Sequence, residues 1–274
     1  MKKFKEKYLE KLYKPSPTSS KADNGQVVII GGSSLFHGAP ILALKVAARI
    51  CDMVFFASPE KSMEKVASKI KANLSSFIWV PMGEVETYIQ KADACLIGPG
   101  LMRYREGKDG FSDEVGRKTR QITERLLKKF PQKQWVVDAG SLQVIKPEVL
   151  PSQAIITPNR KEFERLFGSR EVGEMAKKYS LIIVRKDLPS CVCSPSDCLV
   201  IEGGNAGLTK GGTGDVLAGL TVALAAKNDP FLAASAASFL VKKTADCLYR
   251  KVGFAYSAQD LAEEIPAVLG KYYL

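Results

Sequence analysis

The densest run of residues able to handle an anion is Gly203-Gly204-Asn205-Ala206-Gly207-Leu208-Thr209-Lys210-Gly211-Gly212-Thr213-Gly214-Asp215. Glycine takes backbone conformations that other residues avoid and lets the main chain approach a ligand closely. The apolar stretch from Thr213 to about Ala226 reads as a helix, so a glycine-rich turn opens it. Such a turn gathers free N–H groups at the positive end of a helix dipole, which suits phosphate. The run lacks the Gly-x-x-x-x-Gly-Lys-Ser/Thr spacing, so it is not a Walker A loop. Asp215 falls in the first helical turn. The dipole alone favours a carboxylate there, but the glycines before it point to a base placed where a phosphate oxygen or hydroxyl arrives.

Three weaker segments share its character: Gly31-Gly32-Ser33-Ser34-Leu35-Phe36-His37-Gly38-Ala39, Gly98-Pro99-Gly100-Leu101, and Thr157-Pro158-Asn159-Arg160-Lys161-Glu162-Phe163. Each alone could be a plain turn. Each also follows a short apolar run of the kind that forms a buried strand: Val27–Ile30, Ala94–Ile97 and Ala154–Thr157. Further strands are expected at Met53–Ala57, Phe77–Val80, Trp135–Val137 and Leu181–Val184, the last leading into a cysteine-containing hairpin. Helices are expected at Pro40–Ile50, Glu60–Asn73, Ser112–Phe130, Arg160–Phe167, Phe231–Arg250 and Ser257–Leu269. Short, wholly apolar strands alternating with helices imply a mostly parallel sheet covered on both faces. Ligands in such folds bind beyond the carboxyl ends of the strands, where these glycine and proline loops lie.

The chain has 274 residues, 46% hydrophobic and 25% charged, with a formal charge of +11. That is enough for one large α/β domain with a full core. Residues 1–21 hold seven lysines and two glutamates, a net of +5. Residues 1–24 therefore read as a basic tail, a short amphipathic helix and a Pro/Ser/Lys-rich linker ahead of the domain 25–274, and deleting residues 1–22 should leave fold and turnover largely intact. No arginine-and-aromatic face suggests nucleic acid. No apolar run reaches the ~18–20 residues of a membrane span, and no secretory signal is present, so a cytoplasmic protein is expected. Cys51 and Cys95 read as core residues. Cys191, Cys193 and Cys198 read as incidental thiols of a hairpin rather than a metal site, since a fourth ligand is missing. His37 is the only histidine, so a Ser-His-Asp triad would have to pass through it.

Taken in order, Gly-Gly-Ser…Gly-Ala, Gly-Pro-Gly-Leu, Val-Val-Asp-Ala, Ile-Thr-Pro-x-x-x-Glu-Phe-x-Arg-Leu and Asn-x-Gly-x-x-x-Gly-Gly-Thr-Gly-Asp-Val-Leu-Ala-Gly resemble the ADP/ATP-dependent NAD(P)H-hydrate dehydratases over about Val27 to Leu269. The resemblance implies a ribokinase-like three-layer α/β/α sandwich with a mostly parallel sheet. It implies a stand-alone dehydratase that spends ADP or ATP, with Mg²⁺, to return hydrated NADH or NADPH to NAD(P)H, and a homo-oligomer would fit it. By the same likeness Ala39, Gly100, Asn159 and Asp215 would contact the hydrated dinucleotide. Lys186, Asp187, Leu188, Pro189, Ser190, Gly211, Gly212, Thr213 and Gly214 would contact the nucleotide, with Asp215 catalytic. Two positions depart from the family: Asn159 stands where it usually has His, and Asp138-Ala139-Gly140-Ser141 where it has Asp-Ala-Asp. The same residues leave two alternatives: a kinase of the superfamily acting on a vitamin-precursor or sugar hydroxyl, or a nucleotide-binding protein without turnover.

Overall fold

The computed structural model describes residues 1–105 and 113–273. Ten strands form one sheet: β1 (Lys2–Lys3), β2 (Gln26–Ile30), β3 (Met53–Ala57), β4 (Ile78–Trp79), β5 (Ala94–Ile97), β6 (Gln134–Val137), β7 (Ile155–Ile156), β8 (Ile182–Arg185), β9 (Ser190–Cys193) and β10 (Cys198–Ile201). Their order is β1-β10-β9-β8-β7-β6-β5-β2-β3-β4. Every described neighbour pair is parallel except those of β9, which runs antiparallel to both β8 and β10. The chain travels outward from β2 in both directions, so the order reverses between β2 and β5. A crevice opens at such a reversal, beyond the carboxyl ends of the strands.

The strands are apolar throughout because both faces are covered. Val27 and Ile29 point into one core and Val28 and Ile30 into the other; Ala94 and Leu96 are likewise separated from Cys95 and Ile97. The first core packs under α1 (Gly38–Ala47), α2 (Ser62–Ile70), α8 (Thr213–Ala225), α9 (Pro230–Val252) and α10 (Ala258–Gly270). The second packs under α3 (Val85–Lys91), α4 (Glu114–Lys129), α6 (Arg160–Phe167) and α7 (Val172–Tyr179), with the short α5 (Ala139–Leu142) at its edge. Helices on both faces of the sheet make three layers, as expected. Helix α8 is buried almost all round and lies so close to α1 that a Cβ on Gly219 would come within 2.5 Å of Ala43 Cα.

The long polar helix begins at Glu114, capped by Asp113 accepting from Val115 N–H; Ser112, where it was expected to begin, lies outside the described residues. Helices α3 and α7 were not foreseen. Each is short and buries only two or three side chains, such as Val85 and Ile89 of α3.

The first residues do not stand off as a detached tail: they pack on the domain, and the helical turn there is 3-10. Lys2 and Lys3 pair with Leu199 and Val200 at the sheet edge. A 3-10 turn over Glu6–Lys11 buries Leu9 completely, and Phe4 and Leu12 join the same core. Phe4 stacks on Phe239 of α9 at 5.1 Å between centroids. The lysines point outward while four apolar side chains (Phe4, Tyr8, Leu9, Leu12) turn in. The hairpin of β9 and β10 is as read, but its thiols are not incidental: Cys193 and Cys198 sit opposite each other and are joined by a disulfide.

Candidate functional site

Four chain segments meet at the carboxyl ends of β6, β7 and β8 and the start of α8. Strand β6 ends at Val137, and Asp138 follows it into the bend that starts α5. Strand β8 ends at Arg185 and delivers Lys186. The Lys186 Nζ donates to Asp138 Oδ1 at 2.8 Å, with the aspartate 2% exposed and the lysine 19%. Burial alone would lower the lysine's pKa, but Asp138, Glu162 and Asp215 outweigh it and hold the ammonium above its ordinary value.

Segment 157–163 supplies the third member. Asn159 caps α6: its Oδ1 accepts from Glu162 N–H at 3.0 Å, and the Glu162 carboxylate accepts from Asn159 N–H at 2.9 Å. This reciprocal pair fixes the helix start and turns Glu162 inward. Glu162 is 6% exposed and also accepts from Gln143 Nε2 at 2.9 Å. Burial pushes its pKa up, with Lys186 opposing and Asp138 adding to the rise.

The glycine run forms the fourth side. A 3-10 turn over Ala206–Thr209 leads to Gly212, whose φ of +93° suits glycine at the helix entry. A Cβ there would come within 2.5 Å of Leu42 on α1 and 2.9 Å of Ala258 on α10. Thr213 anchors the turn by donating from Oγ1 to the Leu208 and Lys210 carbonyls. The N–H groups of Gly214 and Asp215 bond to no backbone carbonyl among the described residues, as the first turn of a helix requires. A Cβ on Gly214 would lie 3.2 Å from Lys186 Nζ, which puts the ammonium against the helix N-terminus. Asp215 is partly buried, and its pKa rises to about 7 because of burial first and the neighbouring Asp138 and Glu162 carboxylates next, against the pull of Lys186.

A cavity of about 470 Å³ opens beside this group. Asn159, Lys186, Asp187, Leu188, Ser190, Thr213 and Gly214 line it, all expected from the sequence to contact ligand. Leu208, Leu217 and Val241 add an apolar wall, and Lys242 a second ammonium. Ala39 and Gly100 lie at the order reversal instead. There a Cβ on Gly31 would come within 2.2 Å of Pro99 O, and one on Gly100 within 2.4 Å of Phe36 O, so the two loops and the start of α1 touch backbone to backbone. Gly100 has a φ of +72°. A second cavity of about 330 Å³ adjoins these loops at Gly32, Ser33, Leu101 and Met102. His37 contacts Ser62 Oγ through Nε2 at 3.5 Å, at the start of α1.

Sequence reading left out Glu162 as a site member and Lys242 altogether. Glu162 stood three residues after Asn159, a spacing that signals a capping pair. Lys242 carries no such signal inside the long apolar pattern of α9. The departure at 138–141 has a structural reason: a Cβ on Gly140 would come within 2.0 Å of Leu101 O, so no larger residue fits without moving that loop. Ser141 faces away and bonds Thr123 Oγ1 at 2.8 Å in the core.

A three-layer, mostly parallel sandwich, with a glycine-opened helix over the carboxyl ends of its strands, is the ribokinase-like fold. A ribokinase-like superfamily protein from Enterococcus faecalis superposes with a TM-score of 0.82 at 22% identity, covering 99% of this chain and 96% of its own. The chain belongs to the NAD(P)H-hydrate dehydratase family, whose model matches residues 27–267. It is 34% identical over 273 residues to the bifunctional NAD(P)H-hydrate repair enzyme Nnr of Methanocaldococcus jannaschii, covering 95% of this chain and 51% of that one. It thus spans about half the length of such bifunctional relatives. It is also 30% identical over 278 residues to the ADP-dependent (S)-NAD(P)H-hydrate dehydratase of Nitrosopumilus maritimus, covering 92% of this chain and 90% of that one. The ADP/ATP-dependent NAD(P)H-hydrate dehydratase of Bacillus subtilis, co-crystallized with ATP/Mg²⁺, shares the fold with a TM-score of 0.81 at 23% identity, over 99% and 98% of the two chains.

Proposed function

We propose that the chain dehydrates hydrated NADH or NADPH back to NAD(P)H and spends ADP or ATP in doing so. The observation that carries this is the placing of Asp215: a carboxylate with a pKa near 7 in the first turn of a glycine-opened helix, beside the Lys186–Asp138 pair. A site for binding phosphate alone would be better without that negative charge. A base that can accept a proton near neutral pH is what the first step needs.

In this reading Ala39, Gly100, Asn159 and Asp215 hold the hydrated nicotinamide ring with its hydroxyl toward Asp215. The carboxylate takes the hydroxyl proton as the oxygen attacks the terminal phosphoryl group. The bond from that phosphorus to the rest of the nucleotide breaks. The Gly212 and Gly214 N–H groups, which bond to no backbone carbonyl among the described residues, and the Lys186 ammonium carry the charge that develops on the phosphoryl oxygens. Segment Lys186–Ser190 and the residues Gly211–Gly214 hold the nucleotide. The new phosphate ester then leaves with its oxygen while a neighbouring ring proton departs, and the double bond of NAD(P)H returns. Mg²⁺ would neutralise phosphate charge. Among the described residues no three acidic, histidine or cysteine side chains are spaced to hold a metal ion; a cation that arrives on the phosphates needs only one or two protein carboxylates. Asp138 is the carboxylate that could serve it, with Asp215 kept for the proton.

The test is product analysis with hydrated NADH, Mg²⁺ and either nucleotide. NADH and free phosphate in equal amounts support the reading; a stable phosphorylated product, or none, would contradict it. No helix among the described residues is long and apolar enough to cross a membrane.

A further inference from the structure

Lys242 supplies a cavity donor with no role in the scheme above. It is 3% exposed, sits on α9 and lines the same cavity as Lys186 and Gly214. Its Nζ donates to the carbonyl oxygens of Asp187 and Gly203, both at a long 3.2 Å. An ammonium has three N–H donors, so one is left. The residue is closed to bulk solvent, and the cavity is the space open to that third donor. Both acceptors are neutral carbonyls, and burial pushes the Lys242 pKa down to about 8. The Asp246 and Asp187 carboxylates offset part of that burial, and an additional acceptor from the cavity would lower the remaining cost.

Its place within the cavity says what the acceptor belongs to. Lys186 Nζ packs on Gly214 at the helix N-terminus, the phosphate end. The Lys242 stem packs on Gly204 with Leu188 and Leu208: a Cβ on Gly204 would meet Leu208 at 2.9 Å, Lys242 at 3.0 Å and Leu188 at 3.2 Å. Leu188, Leu208, Leu217 and Val241 make the apolar wall that a purine face would cover. Purine ring nitrogens and ribose oxygens accept hydrogen bonds, and an ammonium can only donate.

We propose that Lys242 binds the adenine nucleotide by donating to its nucleoside half, while Lys186 serves the phosphates. This rests on the nucleotide-dependent reading of the site. Its two carbonyl bonds also tie the Asp187 loop to the Gly203 loop, so the test has to separate binding from tethering. Lys242→Met keeps the stem and removes the donors; Lys242→Gln restores one donor without charge. Calorimetric titration of ADP and of adenosine, with pyrophosphate measured in competition, is run beside thermal melting. Lys242→Met should weaken ADP and adenosine by roughly tenfold or more, the scale of one hydrogen bond from a charged group. Pyrophosphate should bind as to the wild type, and Lys242→Gln should recover part of the loss. Unchanged ADP and adenosine binding would overturn the proposal and leave Lys242 a tether. So would a loss shared equally by pyrophosphate and accompanied by a fall in melting temperature. Failure of the wild-type protein to bind any of the three would instead overturn the nucleotide reading itself.

Discussion

Replacing Asp215 by Asn should do two opposite things to the protein. It should lower turnover by roughly 10²-fold or more, the scale of a positioned general base, and it should raise stability at alkaline pH. The second effect follows from the carboxylate's raised pKa, which climbs from 3.8 to about 7 chiefly through burial. In the unfolded chain the group ionises near pH 4; in the folded one it keeps its proton until about pH 7. The folded state therefore binds more protons across that window, and wild-type stability falls as pH rises through it, then levels off. Each tenfold in proton affinity is worth about 1.4 kcal/mol, so the full shift would amount to about 4 kcal/mol. Solvent reaches the partly exposed side chain, and half of that or less, about 1–2 kcal/mol, is expected. Asn keeps the size of the side chain and removes the titration. Thermal melting of both proteins at pH 5 and pH 8 reads this directly: relative to wild type, the variant should gain more at pH 8 than at pH 5. Equal differences at both pH values would refute the reasoning about burial, whatever happened to turnover.

Leu9→Ala should cost about 2–5 kcal/mol, as a fully buried leucine does, measured by urea unfolding; a change under 0.5 kcal/mol would return residues 1–24 to the status of a tail. Gly140→Ala should cost about 1–3 kcal/mol by the same measurement, because its Cβ would press on Leu101 O, and Gly140→Asp, the family's residue, should cost more. Asn159→His should lose the α6 cap and about 1 kcal/mol while retaining turnover of hydrated NADH; a large loss of affinity at unchanged stability would mean a pocket built for another ligand.

Much of this was legible in the chain because it rests on local rules. Short apolar runs such as Val27–Ile30, bounded by glycines, read as buried strands, and glycines such as Gly212 mark turns that take positive φ. The parallel sheet, the three layers and the helix opening at Thr213 follow from those. What was not legible depends on partners far apart. Lys186 and Asp138 are separated by 48 positions, and nothing near either residue announces the pair. The strand Lys2–Lys3 has no strand signature, since it contributes backbone bonds only, and the charge of its neighbours masks the inward Phe4, Leu9 and Leu12. Asp215 stood out from its place in the helix; its raised pKa required knowing that Asp138 and Glu162 converge on it.

The most direct test of the central claim is a single-turnover experiment with hydrated NADH, ADP or ATP, and Mg²⁺, following NADH absorbance and released phosphate together in the wild type and Asp215→Asn. The account predicts NADH and phosphate in equal amounts with the wild type, and rates lowered by roughly 10²-fold or more in the variant with nucleotide affinity retained. Near-normal turnover in the variant, or phosphate retained on the product by the wild type, would contradict it.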